Sequence, residues 1–220
     1  MTRGFPPAGL VEPSSRGYLY AGLSVDPPGR APFVRRSSRR GEVIGQWREL
    51  AESMTGVPEV VGATVYEAVL IPPIAGGPRF DVIMLVQTTS VETLAAVPIE
   101  KLQAELVMPA RNVRRIGDID AKAPGTYLFN HFTAPDPEAG VAAWERLAGW
   151  YTFKAGVDNS ALLRPVEDRG PFAFVNHVRL PGSAPTFLLN QFLRPSFHRY
   201  VRATLKANGM VAMPILCRPA

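Results

Sequence analysis

The chain has 220 residues, 46% of them hydrophobic and 20% charged, which is enough apolar matter for a buried core and too little charge for a disordered chain. Its net charge of +5 is matched by Arg30, Arg35, Arg36, Arg39 and Arg40, a single run without an acid, so the rest is balanced and a nucleic-acid partner is not expected. No apolar run approaches the ~20 residues of a bilayer span, the N-terminus lacks an apolar signal core, and one cysteine with three histidines excludes a disulfide framework and argues against structural zinc.

A soluble, cytoplasmic protein without a membrane partner is therefore expected. Residues 1–16, with Pro6, Pro7 and Pro13, read as an extended arm. Residues 17–121 form a first unit, with strands near 18–25, 58–71, 80–88 and 110–119 and helices near 42–55 and 90–105. A basic insertion near 26–41 reads as a solvated, mobile loop, with binding of an anionic partner or phosphate as its alternative use.

Residues 122–220 form a second unit. Its first strand, 126–134, ends at Ala134-Pro135, and Asp136 is placed to cap a helix with Pro137 at its first position. Val141, Trp144, Leu147, Ala148 and Tyr151 follow at helical spacing. Strands at 161–167 and 172–180 are joined by the turn Asp168-Arg-Gly-Pro171. A helical region over 185–207 is interrupted at Pro195, and 210–218 is a closing strand.

The two units are a repeat. Gly17-Tyr-Leu-Tyr-Ala-Gly-Leu-Ser24 matches Thr126-Tyr-Leu-Phe-Asn-His-Phe-Thr133, Trp47-Arg-Glu-Leu-Ala51 matches Trp144-Glu-Arg-Leu-Ala148, and Phe80–Gln87 matches Phe172–Arg179. The offset falls from 109 (Tyr18 to Tyr127) through 97 (Trp47 to Trp144) to 92 (Phe80 to Phe172), in the same order in both units. Each unit reads βαββαβ, so two sheets each have one apolar face to bury, and packing those faces together makes a barrel-like core: an α+β fold.

This pattern resembles the dimeric α/β-barrel (ferredoxin-like) superfamily, fused in tandem. The segment Asn190-Gln-Phe-Leu-Arg-Pro-Ser-Phe197 is similar to a helix of the antibiotic-biosynthesis monooxygenase group. Gln191 stands where that group often has histidine, and the tryptophan common early in that helix is missing, so its catalytic assignment does not carry over at those positions. The resemblance implies cofactor-free oxidation or cyclisation of an aromatic or polyketide-like metabolite, in secondary metabolism. Haem-binding relatives place a histidine on the helix that here carries His198, which keeps a haem protein, for degradation or peroxidase-like chemistry, as an alternative. The residues also allow a binding protein without catalysis. Pairing of the fused unit into a homo-oligomer is left open.

Strand alternation sorts the polar residues. Phe172, Phe174, Asn176, Val178 and Leu180 fall under the helices, as do Phe80, Val82, Met84 and Val86. His177, Arg179, Asp81 and Gln87 look into the space between the sheets, with Tyr18, Tyr20, Tyr127, Phe129 and His131. First and third strands, taken as parallel neighbours, would bring His131 and His177 about 5 Å apart. The asparagines of the two Asn-His pairs, Asn130 and Asn176, would then pair on the helix side and satisfy each other. Two close, buried imidazoles titrate together and at least one stays neutral. His131 and His177 are thus expected as acid/base groups, Arg179 as the clamp of an enolate or phenolate, and Tyr20, Tyr127, Phe129, Asp81 and Gln87 as pocket lining. Their structural alternative is a hydrogen-bonded core. The pocket is expected between sheet and helices, in the second unit.

Overall fold

A computed structural model describes residues 4–167 and 170–220. The elements are β1 Gly17–Leu23, α1 Ser38–Met54, β2 Val60–Leu70, β3 Val82–Thr88 and β4 Leu106–Ile116 in the first half. The second half has β5 Tyr127–Thr133, α2 Pro137–Ala155, β6 Ser160–Pro165, β7 Phe174–Arg179, α3 Ala184–Phe192, a π-helical turn Phe197–Arg202 running into α4 Ala203–Ala207, and β8 Val211–Pro219. The strands close into a barrel in the order β1-β3-β2-β8-β5-β7-β6-β4, and every neighbouring pair is antiparallel. The second strand of each half pairs with the fourth strand of the other, through β2–β8 and β6–β4. Reciprocal closure leaves no open sheet edge among the described residues.

Local chemistry accounts for the element ends. Asp136 accepts hydrogen bonds from the Glu138 and Ala139 amides, Pro137 opens α2, and Gly156 closes it at φ 69°, where a side chain would be strained. Ser183 caps α3, and past Pro195 the helix resumes through a wider π turn before α4. Asp168 and Arg169 of the expected β6–β7 turn lie outside the described residues.

Three expectations are corrected. The region 90–105 forms two 3-10 turns, Glu92–Ala96 and Ile99–Lys101, separated by Pro98, which cannot donate the ladder bond of a continuous helix. The basic run is not a loop throughout: Ser37 accepts from the Arg40 amide and caps α1. Arg40 itself is buried, with Glu67 3.6 Å away. Finally, β1 and β3 are antiparallel, as are β5 and β7, because the crossover helix joins the first and second strands and the third strand inserts between them.

The alternation also breaks just before the third strand of each half. Phe80 and Phe172 turn into the barrel, where they join Tyr18, Tyr20, Tyr66, Tyr127 and Phe129 in a closely packed aromatic core. Gly22 makes room for this, since a Cβ there would lie 2.4 Å from the Phe80 ring. The N-terminal arm runs across the second half: Phe5 packs on Trp150 and Tyr200, and the Pro6 carbonyl lies 2.3 Å from where a Gly149 Cβ would be. No helix among the described residues is long and apolar enough to cross a membrane.

Candidate functional site

The β5–β7 register sets Asn130 opposite Asn176, His131 opposite Val175 and His177 opposite Phe129. Alternation then sends the two histidines into the barrel and the two asparagines under the helices. The histidines are diagonal neighbours, a relation of about 7–8 Å rather than 5 Å, because an antiparallel pair aligns the asparagines and offsets the residues that follow them.

Inside the barrel His131 is fully buried. Its Nδ1–H donates to the Met213 carbonyl at 3.1 Å, which leaves Nε2 to accept from the Tyr20 hydroxyl at 2.7 Å. His177 is stacked on Phe129, with centroids 4.6 Å apart, and on Tyr127 at 5.8 Å; its Nε2 has no hydrogen-bond partner. Burial pulls His131 down to about 4 and His177 down to about 3, so each is neutral near pH 7 without needing the other's charge.

The remaining predicted residues are dispersed. Tyr127 donates to backbone carbonyls of the 120–123 turn. Arg179 sits at the barrel rim, donating to the Pro124 carbonyl at 3.3 Å. Gln87 accepts from Arg16 at 3.0 Å. Asp81 precedes β3 and is wholly buried, its carboxylate holding the Val25 and Asp26 amides at 2.7 and 2.8 Å, which is a support for the chain leaving β1. Tyr20, Phe129 and His131 touch one another or a shared neighbour, while Arg179, Asp81 and Gln87 do not join them. His198 is exposed and its Nε2 bonds the Phe192 carbonyl at 2.9 Å. Cys217 is a buried core thiol whose pKa burial raises.

The cleft lies elsewhere, between the second half's sheet and its helices. An outer chamber of about 850 Å³ opens between α3, α4 and the proline-rich stretch that follows β2. It narrows to an inner recess of about 50 Å³ under α2, lined by Trp144, Ser160, Asn176 and Phe132 among others. Leu128, Asn130, Tyr151, Phe187, Val201 and Leu205 line both parts. None of the three histidines lines either part.

Few polar groups interrupt this apolar wall. The Ser160 hydroxyl donates to Asn176 Oδ1 at 2.6 Å, and Asn130 Oδ1 is buried without a partner, so the asparagines oppose each other without the expected mutual satisfaction. Tyr151, whose phenol burial holds well above its ordinary pKa, donates to Gln191 at 3.2 Å. Asn130, Asn176, Ser160, Trp144 and Tyr151 were not singled out as site residues by sequence reasoning. The available signal was an asparagine on each of two strand faces that alternation sends under the helices, where only apolar residues belong.

Neither a protein-family model nor a curated protein sequence matches the chain. Solved structures do. An anthrone oxidase-like protein superposes with a TM-score of 0.65 at 12% identity, over 96% of this chain and 94% of that one. The fold is the dimeric α/β barrel, fused here into one chain. A putative monooxygenase of Fusobacterium nucleatum gives a TM-score of 0.57 at 9% identity over 94% and 93% of the two chains. The chlorite dismutase of Candidatus Nitrospira defluvii gives 0.51 at 11% identity over 94% and 92%. At these identities the likeness is one of fold, and each barrel carries its own site chemistry.

Proposed function

We propose that this α/β barrel is a small-molecule oxygenase, acting without a bound organic cofactor on a flat aromatic or polyketide-like metabolite, and that the second-half cleft is its reaction site. The observation that carries the reading is the opposed Asn130 and Asn176 in a largely apolar recess, one of them with a buried, unpartnered oxygen. Leaving such an atom unmet costs about 1–3 kcal/mol, which a substrate hydroxyl donating to Asn130 Oδ1 would remove. The anthrone oxidase-like and monooxygenase names of the fold neighbours agree with this chemistry.

In the proposed reaction, the enol tautomer of a substrate methylene between two aromatic rings gives up its hydroxyl proton to water at the mouth of the cleft, from which a proton later returns to the peroxide. The resulting enolate oxygen accepts from the Nδ2–H groups of the two carboxamides, whose fixed dipoles need no reorganisation as charge develops. The electron-rich carbon adds dioxygen to give a hydroperoxide, which loses water to leave a ketone. One methylene and one dioxygen thus become one carbonyl and one water, and the substrate supplies the electrons. Trp144, Leu147 and Phe187 exclude bulk water from the recess, which preserves the electrostatic advantage.

The haem alternative needs an axial ligand, and the cleft offers no histidine: His131 and His177 occupy the barrel interior and His198 is bonded to Phe192. The lining residues do not fit a histidine-ligated haem, and no step runs through one. Oxygen uptake with a panel of anthrones and naphthols is the test. Asn130→Leu combined with Asn176→Leu is expected to lower turnover about 100-fold with the thermal melt preserved. Equal turnover by the variant, or turnover that follows His131 and His177 instead, overturns the reading.

A further inference from the structure

The outer chamber carries charge of one sign. Among the described residues, Arg202 and Lys206 are the only charged ones in its lining, and both are exposed. Four residues apart, they lie on the same side of consecutive turns, where like charges repel. Arg40, Arg114, Arg115, Arg164 and Arg218 each meet a carboxylate. Among the described residues neither the Arg202 nor the Lys206 side chain has an ion-pair or hydrogen-bond partner. Two uncompensated cations thus border a chamber whose other walls, among them Ile74, Leu188 and Phe192, are largely apolar.

We propose that Arg202 and Lys206 form a head-group site, and that the ligand of this cleft is an amphipathic acid. Its apolar body fills the chamber and points toward Asn130, while its carboxylate stays at the mouth between the two cations. Arg202 offers a planar fork suited to two parallel bonds to a carboxylate, and Lys206 adds a movable point charge. The arrangement also sets orientation: the acid end faces water, and the opposite end of the molecule reaches the asparagine pair. This proposal rests on the reading of the cleft as a substrate site and specifies the class of molecule that enters it.

Fluorescence titration of the full chain with anthracene-2-carboxylate and anthracene-2-methanol separates the two ideas, because the probes share a flat body and differ in the charged end. At low ionic strength the carboxylate is expected to bind about tenfold more tightly than the alcohol, an advantage that shrinks at about 0.5 M salt as screening takes hold. Arg202→Gln with Lys206→Gln, both at exposed positions, is expected to erase the advantage and leave binding of the alcohol unchanged. Equal affinity of the two probes for the native chain overturns the head-group site and leaves the cleft standing, as does an advantage that survives the double substitution. Failure of both probes to bind removes the cleft reading and this proposal with it.

Discussion

The two halves of the barrel are built alike and filled differently. In the first, the register of β1 on β3 sets Ala21 opposite Met84; at the equivalent place in the second, β5 on β7 sets Asn130 opposite Asn176. Around Met84 the helix side is closed by Leu19, Val82, Trp47 and Met54, by Leu94 of the first 3-10 turn, and by Val97 just after it. Around Asn176 the corresponding tryptophan, Trp144, borders a recess instead, and α3 and α4 form the outer chamber. The two halves thus present one wall and one cavity. The polar pair is unfavourable for packing, and residues that violate the local packing rule are where function is to be sought.

The sharpest way to break this comparison is to make the wall resemble the cavity. Met84→Asn should cost about 4 kcal/mol, combining a lost core side chain with an unpaired buried amide. A urea titration that shows less than 1 kcal/mol (about the cost of an exposed change) would mean that the first half has slack of its own. The Asn130/Asn176 double substitution is the converse, with its loss read in turnover.

A second probe concerns how the halves are joined across the barrel. Tyr20 of the first half donates to His131 of the second. Tyr20→Phe leaves a buried acceptor unmet and should lower unfolding free energy by about 2 kcal/mol, while oxygen uptake, on the proposed reading, stays near its native value. A parallel loss of activity would tie the barrel interior to the chemistry and blur the division between scaffold and site.

Acid should then act mainly on the second half. With His131 near 4 and His177 near 3 when folded, below the usual 6.5, the unfolded chain binds more protons between those values. Stability is thus fully present above about pH 6.5 and falls as pH drops toward the folded values, by about 1.4 kcal/mol per pH unit for each histidine. His177→Phe should reduce that slope by one histidine's share. A slope that does not change between pH 4 and pH 6 (roughly the window set by those pKa values) would contradict the buried, neutral imidazole.

The smallest effect is expected where the N-terminal arm crosses α2. Gly149→Ala places a methyl against the Pro6 carbonyl and should lift Phe5 from Trp150. A loss of about 1 kcal/mol, with a change in tryptophan fluorescence, would show that the arm acts as a brace for the second half.

Much of the architecture was legible in the residues. The repeated Tyr-Leu and Trp-x-x-Leu-Ala segments marked two units of like strand order, one with 3-10 turns in place of its second helix; Asp136-Pro137 marked the start of α2, and Pro195 marked a break, because capping and proline sterics act within a few residues. Alternation sorted barrel from helix side correctly for Tyr20, Leu19, His131 and Asn176. It failed at Phe80 and Phe172, where the chain turns before the strand begins and the side chains follow the larger aromatic core. The pocket was expected between sheet and helices in the second half, where the cleft beside Asn130 lies, while the residues assigned to it face the barrel interior or its rim.

The separation of these side chains from the cleft has a definite cause. Residue type identifies His131 and His177 as chemically capable, but whether an imidazole meets a ligand depends on what fills the space in front of it. Here aromatic rings from both halves fill it. Caps, breaks and face alternation follow from interactions over a few bonds or one turn, so they can be read along the chain. Strand direction and the diagonal offset of the histidines depend on segments brought together by a crossover helix, and the cleft beside Asn130 also needs the stretch after β2, which the pairing of β2 with the distant β8 brings to the second half. A cavity is the volume left over when all of those segments have packed, and only the closed barrel sets it.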